Sequence, residues 1–90
     1  MDIIQLIQTI DHEYNDNTPF IHLVNILDIS ESDIVIKNNL YIVANELDCQ
    51  TITTERRTKL LKKFIDQMKL ISNKSDQISQ ILINLEKMIC

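Results

Sequence analysis

The sequence predicts an all-α fold, a compact bundle of five to six antiparallel-type helices in a single domain over residues 1–90. Three observations carry this. The chain of 90 residues has no glycine and one proline, which removes the easy route to positive-φ turns and disfavours both hairpin-rich folds and glycine-loop nucleotide sites. Apolar residues recur at spacings of three and four along nearly the whole chain, the period of a helix face. Short clusters of Ser, Thr, Asp and Asn interrupt that period where helices would begin.

Residues 3–14 put Ile3, Leu6, Ile7, Ile10 and Tyr14 on one helical face, with Asp2 near the positive end of the helix dipole. NDNT, residues 15–18, breaks the pattern. Thr18 before Pro19 marks a new start, because threonine caps free amides and proline at the first helical position gives up no hydrogen bond. That helix buries Phe20, Leu23, Val24 and Leu27. SESD, residues 30–33, fits a capping box in which Ser30 and Asp33 satisfy end amides reciprocally.

Ile36, Leu40, Val43, Ala44 and Leu47 form the next stripe. DIVIKNNLYIV, residues 33–43, reads also as a β-hairpin turning at Asn38 and Asn39. Helix is favoured, because the stripe continues through ANEL and an isolated hairpin leaves unpaired edges. Thr53 or Thr54 caps the following helix, whose buried face is Leu60, Leu61, Phe64, Ile65, Met68 and Ile71. SNKS, residues 72–75, is a polar turn with two candidate caps, and the last helix runs from Asp76 with Ile78, Ile81, Leu82, Leu85, Met88 and Ile89 at helical spacing. A sixth helix arises if the segment 30–48 breaks in two.

A chain of this length buries only about 60 to 65% of its unfolded surface, so one small core is expected. Cys49 and Cys90 are too few for a disulfide framework and read as idle thiols of a reducing compartment. The N-terminus MDIIQLIQTID has an acid where a secretory signal carries positive charge, and no apolar run approaches the roughly 18 residues that span a bilayer. The expectation is a soluble cytoplasmic protein with no membrane partner.

Charge is unevenly placed. Residues 1–54 hold nine acids (Asp2, Asp11, Glu13, Asp16, Asp28, Glu31, Asp33, Glu46, Asp48) against Lys37 alone, whereas residues 55–90 hold eight bases against Glu55, Asp66, Asp76 and Glu86. The formal net charge of −4 therefore conceals an acidic front and a basic back.

Catalytic chemistry finds little support. His12 and His22 fall on different segments, and DHEY lacks the second histidine of a zinc-protease helix. A zinc site from Cys49, His12, His22 and Cys90 has no close ligand pair to nucleate it. Asp11 with Glu13, and Glu46 with Asp48, are two residues apart, a spacing that sends side chains to different sides of a helix. No nucleophile elbow, phosphate loop or kinase signature is present. The chain is expected not to be an enzyme and to use no cofactor, metal or small-molecule substrate.

The strongest positive feature is TTERRTKLLKKFIDQMKLI, residues 53–71, where Arg56, Arg57, Lys59, Lys62 and Lys63 crowd the front of an apolar pattern. Arg56, Lys59 and Lys63 follow the spacing of one exposed side. The cluster reads either as an ordinary solvated face over the core or as a docking patch for an acidic protein surface, including the acidic half of another copy. Asp11, Glu13, Glu31 and Asp33 are the acidic candidates for the opposite side of such a contact. Internal neutralisation competes with it, Asp11 or Glu13 facing Arg56 or Lys59 in the same molecule.

ILDISESDIVIKNNL, residues 26–40, resembles the turn and second helix of a helix-turn-helix, with Ile29 and Ile34 at buried positions of that motif. Asp28 stands where the turn usually has glycine, and Asn38 where an apolar residue is usual. The reading helix offers phosphates only Lys37, and counterion release needs more positive charge than that. A nucleic-acid partner is therefore disfavoured.

Across the chain, the succession IIQLIQTIDHEYND, FIHLVNIL, LYIVANELD and TKLLKKFIDQMKLI resembles the helix order of a death-effector domain, a member of the six-helix death-fold superfamily. The resemblance covers residues 3–71 and lies in apolar spacing. Lys69, Leu70, Ile71 and Ser72 stand where that family has its RxDL motif, and Asn25 near its second-helix aromatic, so no family binding residue is carried over. The resemblance implies an adaptor that works by homotypic association and oligomerisation. The sequence thus points to a non-enzymatic protein-protein interaction module with complementary acidic and basic faces. The alternatives are a small helical chaperone or complex subunit that buries an apolar face on a partner, and a DNA-binding regulator.

Overall fold

The computed structural model describes residues 2–89. Five α-helices follow one another: α1 (Ile3–Gln8), α2 (Pro19–Ile26), α3 (Ile34–Leu47), α4 (Thr54–Lys69) and α5 (Asp76–Met88), with a single 3-10 turn, Glu31–Asp33, ahead of α3. No strand occurs among the described residues. The radius of gyration is 12.2 Å, the dimension expected of a compact chain of this length, about 12 Å.

Local chemistry explains most boundaries. Asp2 and Gln5 form a reciprocal capping box at α1. Thr53 accepts from the Arg56 amide at the start of α4, and Ser75 accepts from the Ile78 amide at the start of α5. The segment 34–47 is an unbroken helix, so the hairpin reading of 33–43 is overturned. Leu40, Ala44 and Leu47 are buried and Ile36 and Val43 half-buried, a face that a strand would split between two sides.

Three local expectations are corrected. α1 stops at Gln8 and does not continue to 14. The Thr9 hydroxyl bonds back to the Leu6 carbonyl, and the amides of Ile10 and Asp11 both return to Ile7, which closes the helix. Tyr14 is still buried, but from the connection: its hydroxyl donates to the Asp16 carbonyl and its ring lies 4.5 Å from that of His22. SESD forms no capping box either. Ser30 bonds Ser32, while Asp33 is buried and accepts from the amide and hydroxyl of Ser72. Thr18 makes no side-chain cap on α2; its hydroxyl donates to Asp16.

The buried side chains form one core. Leu60, Leu61, Phe64, Ile65 and Met68 of α4 and Ile71 just beyond it lie in it with Leu6 and Ile7 of α1, Phe20, Leu23, Val24 and Leu27, Leu40, Ala44 and Leu47 of α3, and Ile78, Ile81 and Leu85 of α5. Phe20 and Phe64 meet edge to face at 5.8 Å. α3 packs on α4 and α2, α4 also packs on α5, and α1 touches α2 and α5. α3 and α4 run antiparallel in a register fixed by three side-chain bridges: Asp33 with Ser72, Asn39 with Gln67, and Glu46 with Arg56.

Leu40 is fully buried and Val35 is 68% exposed on the same helix. Leu40→Ala is expected to lower the unfolding free energy by about 2 to 5 kcal/mol, and Val35→Ala to change it by less than about 0.5 kcal/mol. Urea titrations followed by circular dichroism measure both; equal losses would mean that the assigned core face of α3 is wrong.

Candidate functional site

The end of the bundle where α3 gives way to α4 gathers several sequence-predicted charges. Asp48, the first residue after α3, reaches across to α2. The Phe20 and Ile21 amides donate to its two carboxylate oxygens, both at 2.9 Å. Pro19 has no amide hydrogen, and the His22 amide donates to the Thr18 carbonyl, so the α2 start is satisfied by a residue far along the chain. Burial pushes the Asp48 carboxyl above its ordinary value, outweighing the opposing pull of the two amides and of Arg57.

Arg57 donates to the Leu47 carbonyl at 3.0 Å, occupying the C-terminal end of α3. Arg56 pairs with Glu46 of α3 at 2.8 Å, both side chains being about half exposed. The alternative in which Asp11 or Glu13 neutralises Arg56 within the molecule is not the pairing that forms. Asp11 instead meets Nε2 of His22 at 3.1 Å. A cavity of about 230 Å³ lies against this end, lined by Ile4, Asp16, Pro19, Asp48 and Arg57 among others.

The five basic candidates therefore divide. Arg56 and Arg57 bind the end of α3. Arg57 is two residues from Lys59, which places them on nearly opposite sides of α4. Lys59, Lys62 and Lys63 are exposed on the side away from the core and make no ion pair among the described residues. The acidic candidates divide too. Asp33 is buried and held by Ser72, hence withdrawn from any surface, and Asp11 is engaged by His22. Glu13 and Glu31 are exposed. Asp16 is exposed as well and accepts from the Asn17 amide and the Thr18 hydroxyl.

An apolar stripe beside the lysines was missed by sequence reasoning. Val35 and Ile42 of α3 and Leu70 at the end of α4 are 68%, 64% and 63% exposed, more than any other large apolar side chain described. Their signal was present: each falls off the core stripe of its own helix. Between α3 and α4 a groove of about 450 Å³ is lined by Asn39, Ile42, Val43, Lys63, Asp66 and Gln67.

Among the described residues no group of three His, Cys, Asp or Glu is placed to hold a metal, and Cys90 of the suggested zinc set lies outside them. The Cys49 thiol is exposed, and hydrogen bonding from Thr51 draws its pKa below the ordinary value. No described helix is long and apolar enough to cross a membrane. Comparison with protein-family models, with curated proteins and with solved structures finds no match to this chain.

Two outcomes follow from the α2 cap. Asp48→Ala is expected to cost about 0.5 to 2 kcal/mol of stability, the range for loss of a helix cap, read from urea melts; no loss would mean that the two amides are satisfied without it. The Asp48 carboxyl is expected to titrate above 3.8, and Arg57→Gln to raise that midpoint further by removing a nearby cation. Carbon NMR of the carboxyl checks this, and a lower midpoint in the variant would refute it. Because burial raises the folded-state value, the protonation-linked part of its contribution is present below 3.8 and is lost as pH climbs through the folded value, while the two amide hydrogen bonds remain.

Proposed function

We propose that the chain is a non-enzymatic protein-interaction module, an adaptor or assembly domain of death-fold type. In this reading the basic outer face of α4 on one copy meets the acidic N-terminal region of another. The observation that carries it is the set of charges left over after the fold is satisfied. Lys59, Lys62 and Lys63 lie exposed without an acidic partner on one side, while Glu13 and Asp16 are exposed in the α1–α2 connection. α1 packs on α2 and α5 and not on α4. Opposite charges on different sides of one rigid body are complementary under translation, which suits homotypic assembly. The helix order that resembles a death-effector domain supports the adaptor role.

A second reading draws on the Val35, Ile42 and Leu70 stripe, a surface that a helical chaperone or complex subunit would bury on a partner. The DNA-binding reading gains no such support. α3 exposes Ile34, Val35 and Ile42, and its one cation, Lys37, is half-buried.

The test is light scattering of the reduced protein from about 50 to 500 mM salt, a range over which exposed charge contacts are screened. Association that weakens steadily with salt is expected. Lys59→Glu, Lys62→Glu and Lys63→Glu together are expected to abolish it while far-ultraviolet circular dichroism stays unchanged. A monomer at every salt concentration would refute homotypic assembly.

A further inference from the structure

We infer that the N-terminal segment, residues 2–17, is a strap that leaves the body of the bundle as one unit, with the Asp11–His22 pair as its latch. The body that stays folded is α2 to α5. Its own first amides, at the start of α2, are satisfied by Asp48 and Thr18 and not by the strap.

The hydrogen bonds of the strap are its own. Asp2 and Gln5 cap each other, and the Thr9 hydroxyl and the amides of Leu6, Thr9, Ile10 and Asp11 all return to carbonyls of residues 2–7. The amide, carbonyl and hydroxyl of Tyr14 bond to Asp11, Gln8 and Asp16 in turn. Beyond the adjoining Thr18, one polar contact among the described residues joins the segment to the rest of the chain: Oδ2 of Asp11 with Nε2 of His22 at 3.1 Å. Lifting the segment therefore breaks a single side-chain pair and orphans no backbone group.

What else holds the strap is apolar, the burial of Leu6, Ile7 and Tyr14. α1 packs on α2 and α5 and on neither α3 nor α4. Its first turn is loosely seated: a cavity of about 320 Å³ is lined by Asp2 and Ile3 of the strap and by Phe20, Leu61 and Met88 of the body. With six residues, α1 is too short to stay helical once it has left. A segment that makes its own hydrogen bonds and few buried contacts opens below the free energy of global unfolding, as a cooperative unit. Opening bares the faces of α2 and α5 beneath Leu6 and Ile7, so the Asp11–His22 latch governs how often that apolar surface is uncovered.

The test is native-state hydrogen exchange of the full chain, read by NMR in urea below the unfolding transition. The amides of Leu6, Thr9, Ile10, Asp11 and Tyr14, all bonded within the strap, are expected to share one opening constant, about a hundredfold or more above that of the slowest amides of α3 and α4. Ile65→Val, a small loss in the α4 core, should speed those slowest amides about three- to tenfold and leave the strap amides unchanged. His22→Phe keeps a ring against Tyr14 and removes the latch, and should speed the strap amides about three- to tenfold. Strap amides that follow Ile65→Val open only with the whole molecule, which overturns the inference. Unrelated opening constants along residues 6–14 would mean fraying residue by residue and would overturn the unit. Strap exchange unmoved by His22→Phe would overturn the latch.

Discussion

The Asp48 carboxylate joins three helices. It follows the last turn of α3, accepts the first free amides of α2, and lies in the field of Arg57 from α4, which itself closes the α3 carbonyl end. A helix start with unsatisfied amides against the body of a protein is costly, so the position of α2 depends on this one side chain arriving from the far end of α3. Because α3 packs on both α2 and α4, a fixed α2–α3 corner also fixes the platform on which α4 lies.

The absence of glycine gives this arrangement its character. No described residue has positive φ, so the left-handed cap that ends many helices is not used. Long basic side chains serve those carbonyls instead. Arg57 takes the Leu47 carbonyl, and the Lys74 ammonium takes the carbonyls of Lys69 and Ile71, each at 2.8 Å. Some of the positive charge in the second half of the chain is therefore structural: it completes helix ends that a glycine-containing chain would close through its backbone. Arg57 and Lys74 belong to this class, and Arg56 is tied to the same corner through Glu46.

What was legible in the sequence was whatever depends on period and near neighbours. The buried faces of α4 and α5, their caps at Thr53 and Ser75, and the helical state of α3 all follow from spacings of three and four residues. What was not legible depends on distant partners. Thr18 had the right type and place to cap α2, yet the Asp48 carboxylate takes both amides, one on each oxygen, as a charged and therefore stronger acceptor than a hydroxyl. Asp33 suited a capping box, but Ser72 offered it two donors in a buried setting. At Thr9 the competing bond was local, a hydroxyl turned back on its own helix. The same limit applied to the surface: spacing already set Arg57 on another side of its helix from Lys59, but only the fold shows that Arg57 closes the carbonyl end of α3.

The fold also decides which charges remain unpaired within the molecule. Arg56, Arg57 and Lys74 reach ends of helices, where carbonyls concentrate negative potential. Lys59, Lys62 and Lys63 sit near the middle of α4, beyond the reach of either end, on the side away from the core. Their nearest antiparallel neighbour, α3, presents Ile42 and Asn39 there, with no carboxylate between Asp33 and Glu46 to meet them. Glu55 and Asp66 of α4 itself stand three or four residues from these lysines, the spacing of neighbours on a helix face, yet no ion pair joins them among the described residues. A lysine row beside exposed Val35, Ile42 and Leu70 is poorly explained as a solubilising face, because the apolar band works against solubility. On the proposed reading the two are parts of one contact, in which charge would set orientation and the apolar band would supply area removed from water.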